Sequence, residues 1–345
     1  MKLRHLTAAL VVATAAAVAV PATASATTPA QHSADAAAGW LARQLVDGDH
    51  LVTVFGGVAY PDTGLTIDGI LAFASAGVAN TAAGRATTYV AANLSGYIGD
   101  GTTESYAGAT AKAALAAEVR GLDPASFGGV DLPTRLRALL TPSGRFSDKS
   151  AFGDFSNAFS QSLAVIALDR TPGGAPAASV NFLAGTQCAD GGFPLDLAAT
   201  PCVSDTDSTA MVAQALQATG RLGKSQQGLT WLAGKQQADG GIPVGTGDPA
   251  VAPNANTTGL AGQAFRVGLR PAAAQKAKTF ITGLQVGCAG APATRGAIAY
   301  DATGYHADTA VRATTQAVLG LGGRGLAQLT SAGSSAAEPA RNCVH

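Results

Sequence analysis

One stretch of the chain recurs at an interval of 49 residues, and this constrains the fold more than any other feature. Asn181-Phe-Leu-Ala-Gly-Thr-Gln187-Cys-Ala-Asp190-Gly-Gly-Phe193 matches Thr230-Trp-Leu-Ala-Gly-Lys-Gln236-Gln-Ala-Asp239-Gly-Gly-Ile242. One more step of 49 reaches Thr279–Gln285, and steps backward reach Arg135–Leu140, Tyr89–Leu94 and Trp40–Leu45. The apolar anchors Leu41, Val90, Leu136, Leu183, Leu232 and Ile281 lie 49, 46, 47, 49 and 49 residues apart. A period of this length marks a unit of two helices that cannot bury its apolar face alone and must stack on its neighbours.

Each unit holds a second helical stretch. Asp62–Gly77 aligns without gaps on Asp205–Gly220, and the others are 104–121, 154–168, 254–269 and 308–321. These stretches are rich in Ala, which favours helix, and several end at a Gly that can cap one. The bulkier residues Trp40, Tyr89, Phe182, Trp231 and Phe280 fall in the first helix of each unit. Six hairpins with small-residue helices crowded inside can close into a ring, and neither end reads as the polar cap that an open solenoid requires. The sequence predicts an all-α fold, an (α/α)6 toroid over residues 35–325. A linker at 27–34 precedes it and a tail at 326–345 follows.

Residues 1–26 read as a signal peptide. A short basic start (Lys2, Arg4, His5) leads into the apolar run Leu6–Val20, and Ala24-Ser25-Ala26 is an A-x-A cleavage site. The run is shorter than the ~20 residues needed to span a bilayer, and no later segment is long and apolar enough. Export makes disulfides the expected use of Cys188, Cys202, Cys288 and Cys343. Three pairings are open. Cys188–Cys202 would pin one loop and Cys288–Cys343 would tie the tail to the body, and this pairing is favoured. No C-x-x-C spacing supports a metal site, and Gly320-x-Gly322-x-x-Gly325 follows a helix rather than a strand, so it reads as a helix end and no cofactor is expected. Lys plus Arg and Asp plus Glu each number 22, so there is no basic field for a nucleic acid. The chain is expected to act as a secreted monomer.

The Gln187-x-x-Asp190-Gly-Gly and Gln236-x-x-Asp239-Gly-Gly turns resemble the repeat shared by squalene and terpenoid cyclases and the β subunits of protein prenyltransferases. The resemblance implies an α/α toroid, with these four residues structural: Asp bonds backbone amides and Gly supplies a positive φ. Asp205-Thr-Asp207-Ser208-Thr-Ala resembles the D-x-D-D-T-A segment of class II terpenoid cyclases, with Ser208 in place of the third acid. The resemblance implies that Asp207 would protonate an alkene or epoxide, with Asp205 as the neighbouring carboxylate. In the prenyltransferase pattern, Asp205 and Asp207 occupy the first two zinc-site positions and His306 resembles the third, but the thiolate is missing. Asp62-Thr-Gly-Leu-Thr-Ile looks like a helix start of the secreted cobalamin carriers, which share the toroid.

Asp62, Glu104, Asp154, Asp205, Asn254 and Asp308 fall at or near the starts of the second helices. N-capping accounts for all six. The same placement would also put them, with His306, around one mouth of a central cavity, and a polar rim over an apolar cavity is a ligand-site geometry. The sequence therefore points to a toroid that binds an apolar small molecule or a peptide in its central cavity. The alternative is an enzyme, either cyclase-like through Asp207 or, as in the α/α-barrel glycosidases, acting on glycans through rim carboxylates.

Overall fold

The computed structural model describes residues 32–343, so the signal peptide, most of the linker and His345 lie outside the described residues. The helices are α1 (Ser33–Ala42), α2 (Thr63–Ala76), α3 (Asn80–Ala92), α4 (Leu94–Ile98), α5 (Ala107–Val119), α6 (Leu132–Arg137), α7 (Ala158–Asp169), α8 (Ala177–Gly185), α9 (Thr206–Ala218), α10 (Leu222–Ala233), α11 (Ala255–Val267), α12 (Pro271–Gly283) and α13 (Ala307–Leu321). α2, α5, α7, α9, α11 and α13 form an inner ring in which each helix packs on the next and α13 returns onto α2. The outer helices α1, α3, α6, α8, α10 and α12 each pack against inner ones. The protein is an all-α (α/α)6 toroid of six hairpins in a closed ring.

Small side chains permit this closeness. Ala113, Ala114, Ala116 and Ala117 of α5 and Ala210, Ala213 and Ala215 of α9 are all buried. The bulk of the core comes from residues such as Ile67, Leu115, Ile166, Met211, Leu260 and Leu319. One contiguous apolar cluster contains them and so draws on all six inner helices. The central space expected from the sequence is therefore filled along much of its length. Burial of this kind contributes about 25 cal/mol per Å2 of apolar surface and holds the ring together.

The repeat has a hydrogen-bonded basis. A buried threonine of an inner helix, in the first turn of α9 and α11 and further along in α13, accepts a bond from its own connector: Phe193 N donates to Thr209 Oγ1 at 2.9 Å, Ile242 N to Thr258 Oγ1 at 3.0 Å and Ile298 N to Thr314 Oγ1 at 2.9 Å. Phe146 N donates to Gln161 Oε1 of α7 in the same way, at 2.8 Å. The first amide of the helix then donates to the connector of the next unit: Ala158 N to Leu195 O, Thr206 N to Gly245 O and Ala255 N to Tyr300 O. α7, α9 and α11 are thus each fastened near their starts to two connectors.

The turn glutamine links outer helices. Gln187 Nε2 donates to Gly191 O and to Lys224 O of α10, and Gln236 Nε2 to Gly240 O and to Ala273 O of α12. Gln285 Nε2 donates to Gly296 O and to Ser33 O of α1, so the same contact closes the ring between its last and first units. Gly240 sits at φ +93°, where a Cβ would lie 2.3 Å from Lys276 O. Gly296 is its counterpart at the seam, against Ala36 O of α1.

Two features depart from a purely helical reading. Val52–Phe55 and Val58–Pro61 (β1 and β2) pair antiparallel around Gly56-Gly57 in the connector before α2. Two-residue strands, Phe193–Pro194 and Ser204–Asp205 (β3 and β4), pair before α9. The disulfides join Cys188 to Cys202 and Cys288 to Cys343.

After α13 the chain crosses the end of the ring at which the inner helices terminate. Leu326 and Leu329 are buried there and join the central cluster. Arg170 holds this crossing by donating to Leu326 O, Ala327 O and Leu329 O. That end is therefore covered, and the opposite end, where the inner helices begin, carries the polar groups.

Candidate functional site

The inner helices present their N-termini at one mouth of the ring, where free amides and the helix dipole favour acidic or amide side chains. Asp62, Asp205 and Asn254 are N-caps of α2, α9 and α11, accepting from Leu65 N at 2.8 Å, Ser208 N at 2.7 Å and Thr257 N at 2.9 Å. The other three expected caps depart from that role. α5 starts after Tyr106, and Glu104 instead accepts from the Tyr106 hydroxyl at 2.7 Å and from Ala151 N at 3.1 Å. α7 is capped by Asn157, which forms a capping box with Ser160, while Asp154 braces its own loop and pairs with Arg145 at 3.2 Å. Asp308 lies in the first turn of α13 behind His306, an N-cap position whose side chain makes no capping bond. Local sequence explains the first two shifts, because Tyr106 and Asn157 stand two and three residues beyond the aligned acids and claim the helix start.

Asp207 sits in the first turn of α9, half-buried, four residues before the buried Met211 on the same helix face. Its Oδ1 is buried and has no hydrogen-bond partner. Burial pushes the carboxyl up to about 6, the charge of Asp205 adds to the rise, and the Thr257 hydroxyl opposes it. Ser208 Oγ and Asn256 Oδ1, in the first turns of α9 and α11, are likewise buried without a partner. Tyr300, from the connector that receives the Ala255 amide, is raised by burial and, less, by the charges of Asp301 and Asp207. An acid (Asp207), an amide (Asn256) and two hydroxyls (Ser208 and Thr257) thus lie in the first turns of α9 and α11.

A second charged group lies further round the ring, on α2 and α5, three and two inner helices from α9. Asp68 of α2 and Lys112 of α5 form an ion pair at 2.6 Å, and both are half-buried. Burial disfavours the ammonium, but the charge and hydrogen bond of Asp68, with the charges of Tyr97 and Asp62, together outweigh it and raise Lys112. Tyr97 of α4 is raised by its burial and lies within the field of this pair. Burial also works against the charge of Asp62, but the Thr53 hydroxyl, Leu65 N and Arg312 together hold it below the usual carboxylate range. Arg312 reaches Asp62 from α13 at 3.2 Å and so bridges the ring at its seam. Sequence reasoning missed Asp68 and Lys112. The available signal is a charge at the sixth residue of each of two largely apolar helices, the only charge in α2 and one of two in α5.

The turn acids lie outside the mouth. Asp190 accepts from Gly192 N, the Ser204 hydroxyl and Trp231 Nε1, and Asp239 from Gly241 N. A surface groove of about 740 Å3 runs beside Asp190 and Trp231, but Gln187, Asp190 and Gln226, which line it, are engaged in bonds that join repeats. Among the described residues, no cluster of three or more His, Cys, Asp or Glu could hold a metal ion. No described helix is long and apolar enough to cross a membrane.

No family model matches the chain, and no curated protein matches its sequence. Solved structures do match its shape. The type II terpene cyclase MstE from Scytonema superposes with a TM-score of 0.61 at 14% identity, over 84% of this chain and 96% of that one. An unsaturated glucuronyl hydrolase from Bacillus sp. GL1, responsible for the degradation of glycosaminoglycan, gives 0.58 at 13% identity, over 84% and 95%. An unsaturated glucuronyl hydrolase specific for heparin gives 0.60 at 11%, over the same shares. At such low identity these likenesses establish architecture: the chain has the α/α-toroid fold found in a type II terpene cyclase and in unsaturated glucuronyl hydrolases.

Proposed function

We propose that the mouth of the ring is the active site of an exported acid–base enzyme in which Asp207 is the general acid. The observation that carries this reading is the Asp207 carboxyl, half-buried with an unpartnered Oδ1 and raised to about 6. A carboxylic acid kept protonated near neutral pH by burial is the usual requirement for donating a proton to a substrate. The fold is compatible, since it supports enzymes in both neighbour classes, although a fold alone assigns no chemistry.

The acidity bears on the reaction. An acid near 6 matches a glycosidic or enol-ether oxygen better than an isolated alkene, which is a far weaker base. Ser208 stands where the cyclase pattern has a further acid, which also favours transfer to oxygen. The lip of the mouth carries Asp100, Asp196, Asp248 and Asp308, all exposed, so an anionic sugar would meet repulsion. The substrate class that fits is a neutral glycoside with an apolar part. The Asp68–Lys112 pair would position it across the mouth from Asp207.

The test is hydrolysis of neutral aryl and alkyl glycosides, followed as a function of pH. Activity should fall as pH rises through about 6, and Asp207→Asn should abolish it. Activity retained in the Asn variant would overturn the assignment. A second reading, a carrier that holds an apolar molecule at the mouth, is favoured by the exposed apolar side chains there. Native mass spectrometry of the secreted protein would release such a molecule on denaturation.

A further inference from the structure

The connectors that surround the mouth expose large apolar side chains. Phe55 and Phe152 are each 79% exposed and Phe155 is 66% exposed, with Tyr60, Val203 and Val251 all above 40%. They come from four different units: the β1–β2 turn and the loops before α7, α9 and α11. The loop tips are held in place. Ala151 N and Phe155 N donate to Glu104 and Asp148, and Asp148 also accepts the first amide of α5. Side chains this apolar, displayed on braced backbone around one opening, mark an interaction surface.

Charge selects the partner. The exposed Asp100, Asp196, Asp248 and Asp308 are interleaved with these apolar residues in the same connectors and helix starts, and none makes an ion pair among the described residues. Most nearby cations are already committed: Arg145 to Asp154, Arg312 to Asp62 and Lys112 to Asp68, while Arg135 beside Asp100 bonds backbone carbonyls and Lys235, which packs on Gly247 next to Asp248, lies over Trp231. Lys149 alone is exposed beside the inner-helix starts without an ion-pair partner among the described residues. The opposite end of the ring carries Arg120, Arg170, Arg221, Arg266 and Arg270 at the helix turns, with Arg170 paired to Glu118. A surface that alternates exposed apolar groups with unpaired carboxylates complements a chain that alternates apolar and basic groups.

We infer that the lip of the mouth is a docking surface for a basic amphipathic peptide segment. Its apolar face packs on Phe55, Phe152 and Phe155, and its Lys and Arg side chains meet Asp196, Asp248 and Asp308. The surface does not depend on proton transfer by Asp207, and the two can be separated by experiment. An anionic membrane is a poor occupant, because the lip repels its headgroups.

The experiment is a titration of the whole protein with a designed Leu/Lys amphipathic helical peptide, followed by fluorescence anisotropy. Binding should weaken about tenfold in Phe152→Ser/Phe155→Ser and by a similar factor in Asp196→Lys/Asp248→Lys, each equivalent to about 1.4 kcal/mol. It should also weaken with added salt. Melting temperature should hold in both variants, since all four residues are exposed. Asp207→Asn should bind the peptide as the parent does. Equal binding of a Leu/Glu peptide, binding of phosphatidylcholine vesicles in its place, or unchanged affinity in both variants would each overturn the inference.

Discussion

At the scale of the residue, Asp207 is where stability and chemistry meet. Its folded pKa, about 6, lies above the 3.8 of a free aspartate, so the folded state holds the proton more tightly. The contribution of this group is fully favourable below about pH 4 and is lost as pH rises through about 6. A shift of that size corresponds to about 3 kcal/mol at most. Asp207→Asn should therefore melt close to the parent at pH 4 and several degrees above it at pH 8, by calorimetry at both pH values. A pH-independent difference would show that the carboxyl is not held near neutrality by its site. Asp205 and Asp207 were legible in the sequence because they sit in a run of recognisable spacing. Asp68 and Lys112 were not, because alignment of repeats finds what recurs, and an ion pair between two neighbouring helices occurs once.

At the scale of the element, the sequence disclosed the hairpins through their period and left helix starts uncertain by a few residues. The acids aligned correctly with Asp62, Asp205 and Asn254 because each ends an extended connector and bonds the amide three residues on. Glu104 and Asp154 misled because later residues at Tyr106 and Asn157 take the cap position. The β1–β2 hairpin was missed, although Gly56-Gly57 between Val-rich runs is a hairpin signal. The turn glutamine yields a direct test of closure. Gln285→Ala removes the bonds to Ser33 O and Gly296 O and the acceptor of Arg341, a loss of about 1–3 kcal/mol for partly buried groups. Hydrogen exchange should rise in α1 and α12, next to the seam. In Gln187→Ala the rise should fall in α8 and α10 and leave the seam protected.

At the scale of the whole molecule, the closed ring was legible from six regular units, but what fills and covers it was not. Leu326 and Leu329 close one end, and no repeat announces them, because they follow the last repeat. The tail is tied by Cys288–Cys343, a span of 55 residues, against 14 for Cys188–Cys202. Chain-entropy arithmetic assigns these cross-links about 4 and about 3 kcal/mol. Cys288→Ser/Cys343→Ser should thus lower the urea midpoint more than Cys188→Ser/Cys202→Ser. The reverse order would show that the tail contributes little to holding the ring shut.

The tail also sets an order of assembly. Ser335 and Ala337 bond Asn80 and Ala79, Glu338 accepts from Arg43, and Arg341 reaches Gln285, so residues 335–341 touch both sides of the junction between the first and last units. A ribosome makes those residues after all six hairpins. Five hairpins can stack as they emerge, each on its predecessor, but α1 must wait for α12 and α13, and the strap over the junction must wait longer still. Until then the first hairpin has one apolar flank uncovered. A ring built this way closes last on its earliest-made hairpin, and until the tail emerges it is an open arc.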